Sequence, residues 1–449
     1  MNDKAFKKSF IKIALPVTLQ ALLQASFNLI DQAMIGRLGK YSIAGIGFAG
    51  KFISIFSVVI AAVSTVAGIM LSQYIGKKEG AAVRKSFLVN FGLSLTVSAV
   101  FIVLCAAIPS PIMSIYTKDA EAKAYAAEYL RIMSAALVPM AVGSVFATLM
   151  RCNEKTVLPL VASILSLGTN ALLNYLLIFG VWIFPELGVK GAAWATVISQ
   201  TLSCVIIVIG YAAIRNKPVP IFCRGEKTQN DGGTFRKQYL AVLCPMLVCE
   251  LLWSLGENVY AIFYGNIGTD AAAAMTMTYP VQSMLIGALS GLSQAAGILI
   301  GKLLGAGDND EAYSKSKRLM LYGVISSLAL SALLFVVAPF YTKIYNVDTN
   351  VQTTTRNILF VFAVVYPVKT SNMILGGGII RSGGKTKYMM WIDIMGTWAI
   401  GVPLGALGAF ALDLSIEFTY AMLSIEECAR LAVSFILFKR KSWMANLQS

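Results

Sequence analysis

Long apolar runs separated by short polar segments recur along the whole chain of 449 residues. A helix that spans a membrane needs about 20 mostly apolar residues, and twelve runs reach that length. Several of them exceed about 25 residues, which predicts tilted or kinked helices. The twelve predicted spans lie near residues 10–35, 43–75, 82–108, 124–150, 157–180, 190–213, 238–266, 271–304, 319–339, 357–379, 388–410 and 418–438.

The composition supports an all-α membrane protein. Hydrophobic residues make up 57% of the chain and charged residues only 13%, whereas an ordinary soluble domain carries about 25% charged residues. The mean hydropathy is +0.71. So few charged residues cannot cover a surface that faces water. Although a chain of this length could form several soluble domains, the composition therefore argues against them.

The net charge of +15 follows the predicted topology. Of the 37 Lys and Arg, 26 fall in the two terminal tails and the loops on their side of the membrane, and 7 fall in the loops on the opposite side. Positively charged loops remain in the cytoplasm, so both termini are predicted to be cytoplasmic. The excess of basic residues therefore reflects the orientation of the protein in the membrane, and we expect no nucleic-acid partner.

The two halves of the sequence repeat each other in a fixed register, and a single inserted residue shifts this register by one position before Arg151. The repeat predicts two pseudo-symmetric lobes of six helices each. The lobes are expected at 1–213 and 238–449, with a cytoplasmic linker at 214–237. Transporters are often built from such repeats, with the site near the membrane midplane. Paired residues include Pro16 with Pro245, Gly39 with Gly268, Gly76 with Gly305, Tyr116 with Tyr345, Asp119 with Asp348, and, after the insertion, Arg151 with Arg381.

The sequence offers little for catalysis or for a bound cofactor. It contains no His, and its seven Cys are scattered without a CxxC pair, so a metal site or a disulfide framework is not expected. No GxxxxGK[ST] phosphate-binding loop is present, and the loops are too short for an ATPase domain. We therefore expect no enzyme and no cofactor, with energy supplied by an ion gradient.

One acidic residue of the first half stands out. Asp31 follows Gln20, Gln24 and Asn28 at helical spacing, so the four side chains form a polar stripe on an otherwise apolar helix. A charge at the bilayer centre costs about 2.5–3.5 kcal/mol on insertion scales. Such a residue usually marks an ion or substrate path, and Asp31 is a candidate for binding H⁺ or Na⁺. A structural Asp satisfied by hydrogen bonds between helices is the alternative.

The second half holds the other acids that fall inside predicted spans. Glu250 and Glu257 lie on one face of the seventh span with Trp253, and they predict a second cation site or a countercharge for a cationic substrate. A structural ion pair with Lys51 or Lys369 is the alternative. Aromatic residues such as Trp253 and Tyr279 suit flat cations, although aromatic residues in a membrane span are more often packing or interface residues. Asp393 is a further candidate, and Glu426 and Glu427 are expected to pair with Arg430 three or four residues away.

The chain resembles the multidrug and toxic compound extrusion (MATE) transporters over nearly its whole length. The order of several segments carries the resemblance: ALPVTLQALLQASFNLIDQAMIGRLG, GIMLSQYIGKKEG, RCNEKT, TNALLNYLLIFG, GVKGAAWATVISQ, PMLVCELLWSLGENVYAIFYGNIG, GGGIIRSGGKTK and GVPLGALGA. The resemblance implies twelve helices in two lobes and export of organic cations in exchange for H⁺ or Na⁺. It further implies a bacterial inner-membrane protein, here expected to be a monomer among membrane lipids.

The resemblance assigns roles to individual residues. Asp31 matches the first-span Asp of proton-coupled bacterial members, while Asn170, Asn174 and Thr196 match polar positions of the same site. The position of Asn174 is often Asp in relatives, and an amide cannot titrate, which argues against a purely protonic relay. The expected cation-coupling residues are Asp31, Asn170, Asn174, Thr196 and Glu250, with Na⁺ at Asp31 or Glu250 as an option. The expected substrate-binding residues are Gln24, Asn28, Trp253, Glu257, Tyr279 and Asp393.

Two other functions compete with the export of cations. A flippase for lipid-linked saccharides, found in the same superfamily, would favour a cavity lined by Arg and Lys, yet the predicted spans hold six acids and only four basic residues. An intramembrane enzyme or a receptor would need a catalytic cluster or a soluble domain, and the sequence shows neither.

Overall fold

The computed structural model describes residues 3–214, 232–343 and 348–445, and within them every regular element is helical. Most of the predicted linker, and Tyr345 of the repeat, lie outside the described residues. Short stretches of 3₁₀-helix and π-helix interrupt the long helices. The helices are α1 Asp3–Ile35, α2 Lys40–Gly76, α3 Gly80–Ala107, α4 Pro109–Tyr116, α5 Ala120–Met133, α6 Leu137–Cys152, α7 Val157–Phe179, α8 Val189–Ala213, α9 Gly232–Ile267, α10 Thr269–Gly305, α11 Asn309–Thr342, α12 Thr349–Asn372, α13 Thr386–Asp393, α14 Val402–Ala406 and α15 Ile416–Lys439.

The helices account for the twelve predicted spans. In the described part of the chain, eleven helical segments are long and apolar enough to cross a membrane. Some spans combine two helices: α5 continues into α6 through a 3₁₀ turn, and α13 continues into α14 through a π-helical stretch. The twelfth span is α15, which has 24 residues and carries Glu426, Glu427 and Arg430. These three charges make α15 less apolar than the other spans, so its composition does not place it among the eleven segments.

The predicted repeat recurs in the local structure of the two halves. Gly39 and Gly268 both have positive φ angles, of 89° and 153°, just before α2 and α10. Such a backbone suits glycine because it has no Cβ. Asp119 caps α5 by accepting a 2.8 Å hydrogen bond from the backbone N–H of Ala122, and Asp348 occupies the same position before α12. Paired residues therefore begin equivalent helices.

The described residues form two compact units. The N-terminal unit contains Leu19–Leu71 and Gly80–Thr228, and the C-terminal unit contains Met1–Thr18, Ser72–Glu79 and Gln229–Ser449. The start of α1 and the end of α2 are thus grouped with the second half of the chain, although the sequence repeat places both in the first predicted lobe.

The N-terminal unit is held together by a hairpin of α7 and α8, with α3, α5 and α6 packed against it or each other. Its apolar core includes Phe56, Met113 and Leu130, which are fully buried. Gly45 of α2 lies against α5, where an added Cβ would come within 2.8 Å of Tyr125 Cβ. Close approach of backbones through small residues is typical of helix packing in membranes.

The C-terminal unit is built around α9, α10, α12 and α15. Its core includes Phe362 and Tyr366, and the Tyr366 hydroxyl donates a 2.6 Å hydrogen bond to the Leu285 carbonyl. Asp3 forms an ion pair with Lys315, which anchors the start of α1 within this unit. Three π-helical stretches, at Met373–Ile380, Ile394–Gly401 and Leu407–Ala411, widen the helices of this unit.

A reciprocal contact joins the ends of α2 and α10 within the C-terminal unit. A Cβ added to Gly76 would collide with the backbone of Lys302, and one added to Gly305 would collide with the backbone of Gln73. The repeat relates Gly76 to Gly305 and Gln73 to Lys302 in the same register. The contact is therefore locally pseudo-symmetric, and glycine is needed on both sides.

Candidate ion-coupling and substrate sites

The N-terminal unit gathers four polar residues from α1, α7 and α8. The side-chain amide of Asn174 donates a 2.6 Å hydrogen bond to Asp31 Oδ1 and lies 3.3 Å from Asn170 Oδ1. The amide of Asn170 in turn lies 3.4 Å from Thr196 Oγ1. The structure therefore brings Asp31 together with the three polar residues that the resemblance assigned to the same site. Glu250, the fifth expected coupling residue, belongs to the C-terminal unit.

The geometry of this Asp31 cluster follows from local helix structure. Asn170 and Asn174 are four residues apart on α7, so their side chains lie on one face. Asn174 is only 2% exposed, and a buried amide is costly unless it is hydrogen-bonded. Thr196 reaches the cluster from α8 and also donates a 3.1 Å hydrogen bond to the Ala192 carbonyl.

Sequence reasoning missed Tyr129 in this cluster. Tyr129 lies on α5, is 9% exposed and is close to Thr196 and to Asp31. A tyrosine in an apolar span is more often a packing residue, so the sequence held no signal that separated Tyr129 from the other tyrosines.

The polar stripe on α1 continues from Asp31 towards the start of the helix. Gln24 Nε2 donates a 2.9 Å hydrogen bond to Asn28 Oδ1, and this pair is exposed. Gln20 Nε2 donates a 2.6 Å hydrogen bond to Ser163 on α7. Within the stripe, Gln24 and Asn28 are therefore hydrogen-bonded to each other, whereas Gln20 is hydrogen-bonded to the neighbouring helix α7.

Several carboxylates of the C-terminal unit have cationic partners. Glu250 lies 3.5 Å from Arg381, and neither Lys51 nor Lys369, the partners considered from the sequence, takes that place. Lys369 lies 3.8 Å from Glu427 instead. Glu250 can therefore bind a cation only in competition with a guanidinium that is already present.

A buried network surrounds Arg430 on α15. Arg430 lies 3.2 Å from Asp393 and 3.8 Å from Glu426, which confirms the expected pairing with Glu426. Glu427 faces Lys369 and the Asn372 amide instead. Asp393 is 9% exposed and also accepts a hydrogen bond from the Cys249 thiol. Asp393 thus lies inside an ion network and does not line an open surface.

The repeat places different chemistry at equivalent positions of the two units. The register that pairs Pro16 with Pro245 relates Asp31 to Tyr260, and the register after the inserted residue relates Thr196 to Glu426. Tyr260 donates a 2.5 Å hydrogen bond to Glu426. The carboxylate of this pair is thus on α15, the last helix of its unit, whereas in the N-terminal unit the carboxylate is on α1, the first helix. Glu426 is paired with an arginine of α15, whereas the carboxylate of Asp31 is bound by an amide.

A second acidic surface lies on α9 and α10 of the C-terminal unit. Glu257 is exposed, and Trp253, one helical turn earlier, is 48% exposed. Tyr279 is 44% exposed and lies near Glu257, as do the buried Tyr260 and Tyr264. A carboxylate with accessible aromatic faces can attract an organic cation through charge and cation–π contacts.

The Asp31 cluster has the donor set of a site for a proton or a hard cation. Within the described ranges, no group of three or more His, Cys, Asp or Glu side chains is placed to hold a metal ion. A Na⁺ at Asp31 would therefore draw its other oxygen ligands from Asn170, Asn174 and Thr196, since hard cations take carboxylate, carbonyl and hydroxyl oxygens. A proton would need the Asp31 carboxylate alone.

Comparison with known proteins agrees with this architecture. A family model described as MatE matches residues 16–176 and again residues 245–407, so the two matches begin at a pair of prolines that the repeat relates to each other. The chain is 21% identical to an uncharacterised transporter, YisQ of Bacillus subtilis, over 98% of this chain and 96% of that protein. It is 23% identical to a probable multidrug resistance protein, NorM of Thermotoga maritima, over 90% of this chain and 88% of that protein.

A human protein and several solved structures also match the chain. The human multidrug and toxin extrusion protein 1 is 23% identical, covering 91% of this chain and 70% of that protein. A crystal structure of a MATE protein in complex with MaL6 superimposes with a TM-score of 0.89 at 17% identity, covering 97% of this chain and 96% of that chain. An outward-facing structure of a MATE multidrug resistance transporter gives a TM-score of 0.87 at 18% identity, covering 97% of this chain and 96% of that one.

The fold and the repeated family match define a multi-pass membrane transporter of small molecules. The chain belongs to the MATE family, as the resemblance of its motifs predicted. Members of this family are transporters and not enzymes, and the multidrug resistance relatives associate the family with drug efflux. The comparisons do not favour the alternative of a lipid-linked saccharide flippase.

Proposed function

We propose that this protein is a secondary antiporter that exports organic cations across the bacterial inner membrane in exchange for H⁺ or Na⁺. Transport proceeds by alternating access, and the coupling ion binds in the Asp31 cluster. Both termini lie in the cytoplasm, and the protein works as a monomer among membrane lipids. The hydrogen bond of 2.6 Å from Asn174 to Asp31 is the observation that carries this proposal.

Two features favour Asp31 over four of the other acids as the coupling residue. The carboxylates of Glu250, Asp393, Glu426 and Glu427 each lie within 3.8 Å of a Lys or Arg side chain. Asp31 sits among neutral amide and hydroxyl groups that accommodate either a bound proton or a bound cation.

The substrate contacts are assigned to the exposed polar and aromatic residues. Gln24 and Asn28 lead from Asp31 along α1, and Trp253, Glu257 and Tyr279 form the acidic surface of the C-terminal unit. Binding of the ion and binding of the substrate oppose each other, and such negative coupling is reciprocal by thermodynamic necessity. Loading of the ion thereby releases the exported cation.

The proposal is tested with the full-length protein reconstituted in liposomes and ethidium as the probe. Ethidium flux is measured under an H⁺ gradient and, separately, under a Na⁺ gradient, for the wild type, Asp31→Asn and Glu250→Gln. Glu128→Gln is the matched control, because Glu128 belongs to the same unit as Asp31 but forms a surface ion pair with Lys190 at 2.8 Å, and such pairs contribute little.

The proposal predicts flux under one of the two gradients, loss of that flux in Asp31→Asn, and wild-type flux in Glu128→Gln. Loss in Glu250→Gln with full activity in Asp31→Asn would move the coupling site to the C-terminal unit. Absence of wild-type ethidium flux under both gradients would contradict export of organic cations of this class.

A further inference from the structure

The N-terminal unit contains a cavity of about 300 Å³ between α1, α2, α6, α7 and α8. Nineteen residues line it, all of them within the described ranges, and Arg151 is the only charged residue among them. The rest of the polar lining is neutral, and it consists mainly of Gln20, Gln24, Ser144, Ser163, Gln200 and Ser203. A space of this size and polarity holds ligands or water in preference to staying empty.

Arg151 enters the cavity with part of its hydrogen-bonding capacity unused. Its Nη2 atom donates a hydrogen bond of 3.3 Å to Gln20 Oε1, and Gln20 donates in turn to Ser163. The Nε atom of Arg151 is buried and has no hydrogen-bond partner among the described residues, and the same is true of Nε of Arg381. A guanidinium is always protonated, so the Nε donor of Arg151 belongs to a full positive charge next to the open volume.

The internal repeat shows what is missing around Arg151. The repeat relates Arg151 to Arg381, whose partner is Glu250 at 3.5 Å. It relates Glu250 to Ala21 in the register that pairs the two prolines of α1 and α9, so the N-terminal unit has a methyl group where the C-terminal unit has a carboxylate. Arg151 is partly buried at the end of α6, and a charge removed from water is costly without a partner of opposite charge. The cavity can therefore hold an anion in place of the carboxylate that is missing next to Arg151.

We propose that this cavity binds a single halide-sized anion, chloride in the cell, with Arg151 as the countercharge. The Arg151 guanidinium supplies the charge, and the hydroxyl of Ser203 and the amide of Gln200 are further donors on the cavity wall. Water fills the remaining volume. The inference uses only contacts within the N-terminal unit, and it stands whether or not ethidium proves to be a substrate.

The test is a chloride titration of the purified full-length protein, with thermal unfolding as the readout. Chloride replaces gluconate at constant sodium and constant ionic strength, so that a general salt effect stays fixed. A ligand that binds only the folded state raises Tm along a saturable curve. Wild type, Arg151→Gln, Gln20→Glu and Arg131→Gln are compared.

Each variant has a defined expectation. Gln20→Glu keeps the side-chain shape but places a carboxylate at hydrogen-bond distance from Arg151, so it substitutes for the anion and abolishes the chloride response while the protein stays folded. Arg151→Gln weakens the apparent chloride affinity at least about tenfold. Arg131→Gln removes one exposed arginine of the same unit and keeps the wild-type response.

Two outcomes would overturn the proposal. One is a wild-type Tm that does not change with chloride, and the other is an equal chloride response in all four proteins, which indicates a general salt effect. Crystals grown with bromide give an independent measurement that does not depend on the variants. An anomalous peak in contact with the Arg151 guanidinium supports the site, and a cavity without such a peak contradicts it.

Discussion

Asn174 of α7 donates a 2.6 Å hydrogen bond to Oδ1 of Asp31 on α1. This contact joins two helices at a point where both are otherwise mainly apolar, and Asn174 is almost fully buried. A hydrogen bond to a charged group contributes about 1.5–3 kcal/mol. The contact therefore fixes the orientation of the carboxylate on which the proposed ion exchange depends.

The first prediction removes that donor. Asn174→Leu keeps a similar volume but leaves Asp31 without the amide, so the initial rate of ethidium efflux is expected to fall about tenfold or more. Asn170→Leu is expected to have a smaller effect, because the hydrogen bonds link Asn170 to Asp31 through Asn174. Rates are measured in liposomes with equal amounts of each protein. An equal loss of efflux in both variants would contradict this prediction, because it would show that the direct hydrogen bond to Asp31 is no more important than the more distant one.

The second prediction concerns the acidic surface of the C-terminal unit. Glu257→Gln and Tyr279→Ala are each expected to raise the Kd for ethidium about two- to thirtyfold, because a cation loses about 0.5–2 kcal/mol of charge or cation–π attraction. Binding is measured by ethidium fluorescence on purified protein. Tyr279→Phe retains the aromatic ring and serves as the control with near wild-type affinity. Unchanged binding in Glu257→Gln would place the substrate elsewhere.

The third prediction separates a structural carboxylate from a substrate ligand. Asp393 lies 3.2 Å from Arg430, and the two side chains are only 12% and 11% exposed. Asp393→Asn leaves the arginine charge less compensated, so the free energy of unfolding is expected to fall by about 3–5 kcal/mol. The double variant Asp393→Asn with Arg430→Gln should recover part of that loss. A fully stable Asp393→Asn protein with weaker ethidium binding would instead give Asp393 the substrate role considered from the sequence.

The fourth prediction tests the close packing of α2 on α5. A Cβ at Gly45 would lie 2.8 Å from Tyr125 Cβ, whereas one at Gly47, on the same helix, would meet no atom within 4 Å. Gly45→Ala is expected to lower the free energy of unfolding by about 1–3 kcal/mol through overpacking. Gly47→Ala should match the wild type or exceed it slightly, since alanine favours a helix over glycine. Thermal unfolding of the two variants gives the comparison, and equal Tm values would contradict the packing.

The fold was predictable because the membrane imposes strong rules on the sequence. Spans of about 20 apolar residues must be helices, and the repeat alone relates the starts of α2 and α10 through Gly39 and Gly268. The sequence predicts α15 as the twelfth span despite its three charges. In the structure Arg430 lies near Glu426 on the same helix and near Asp393 on α13, which explains how the span accommodates them.

The site was predictable only where polar residues interrupt an apolar helix. Asp31, Asn170, Asn174 and Thr196 were found in this way or through the resemblance, and they meet in the structure. Ion-pair partners on other helices were not predictable, since Glu250 pairs with an arginine that lies 131 residues away. Nothing in the local pattern of α9 specifies which cation approaches it. The tyrosine of α5 that joins the Asp31 cluster escaped notice for the same reason.

The exchange of ions for substrate in one reconstituted system tests the central claim most directly. Liposomes that contain the full-length protein and a pH- or Na⁺-sensitive dye are given ethidium on one side, and the opposite movement of H⁺ or Na⁺ is recorded with wild type and Asp31→Asn. The account predicts that ethidium drives a counterflow of one of the two ions in the wild type and none in Asp31→Asn. Ethidium movement without counterflow of either ion, or an undiminished counterflow in Asp31→Asn, would contradict it.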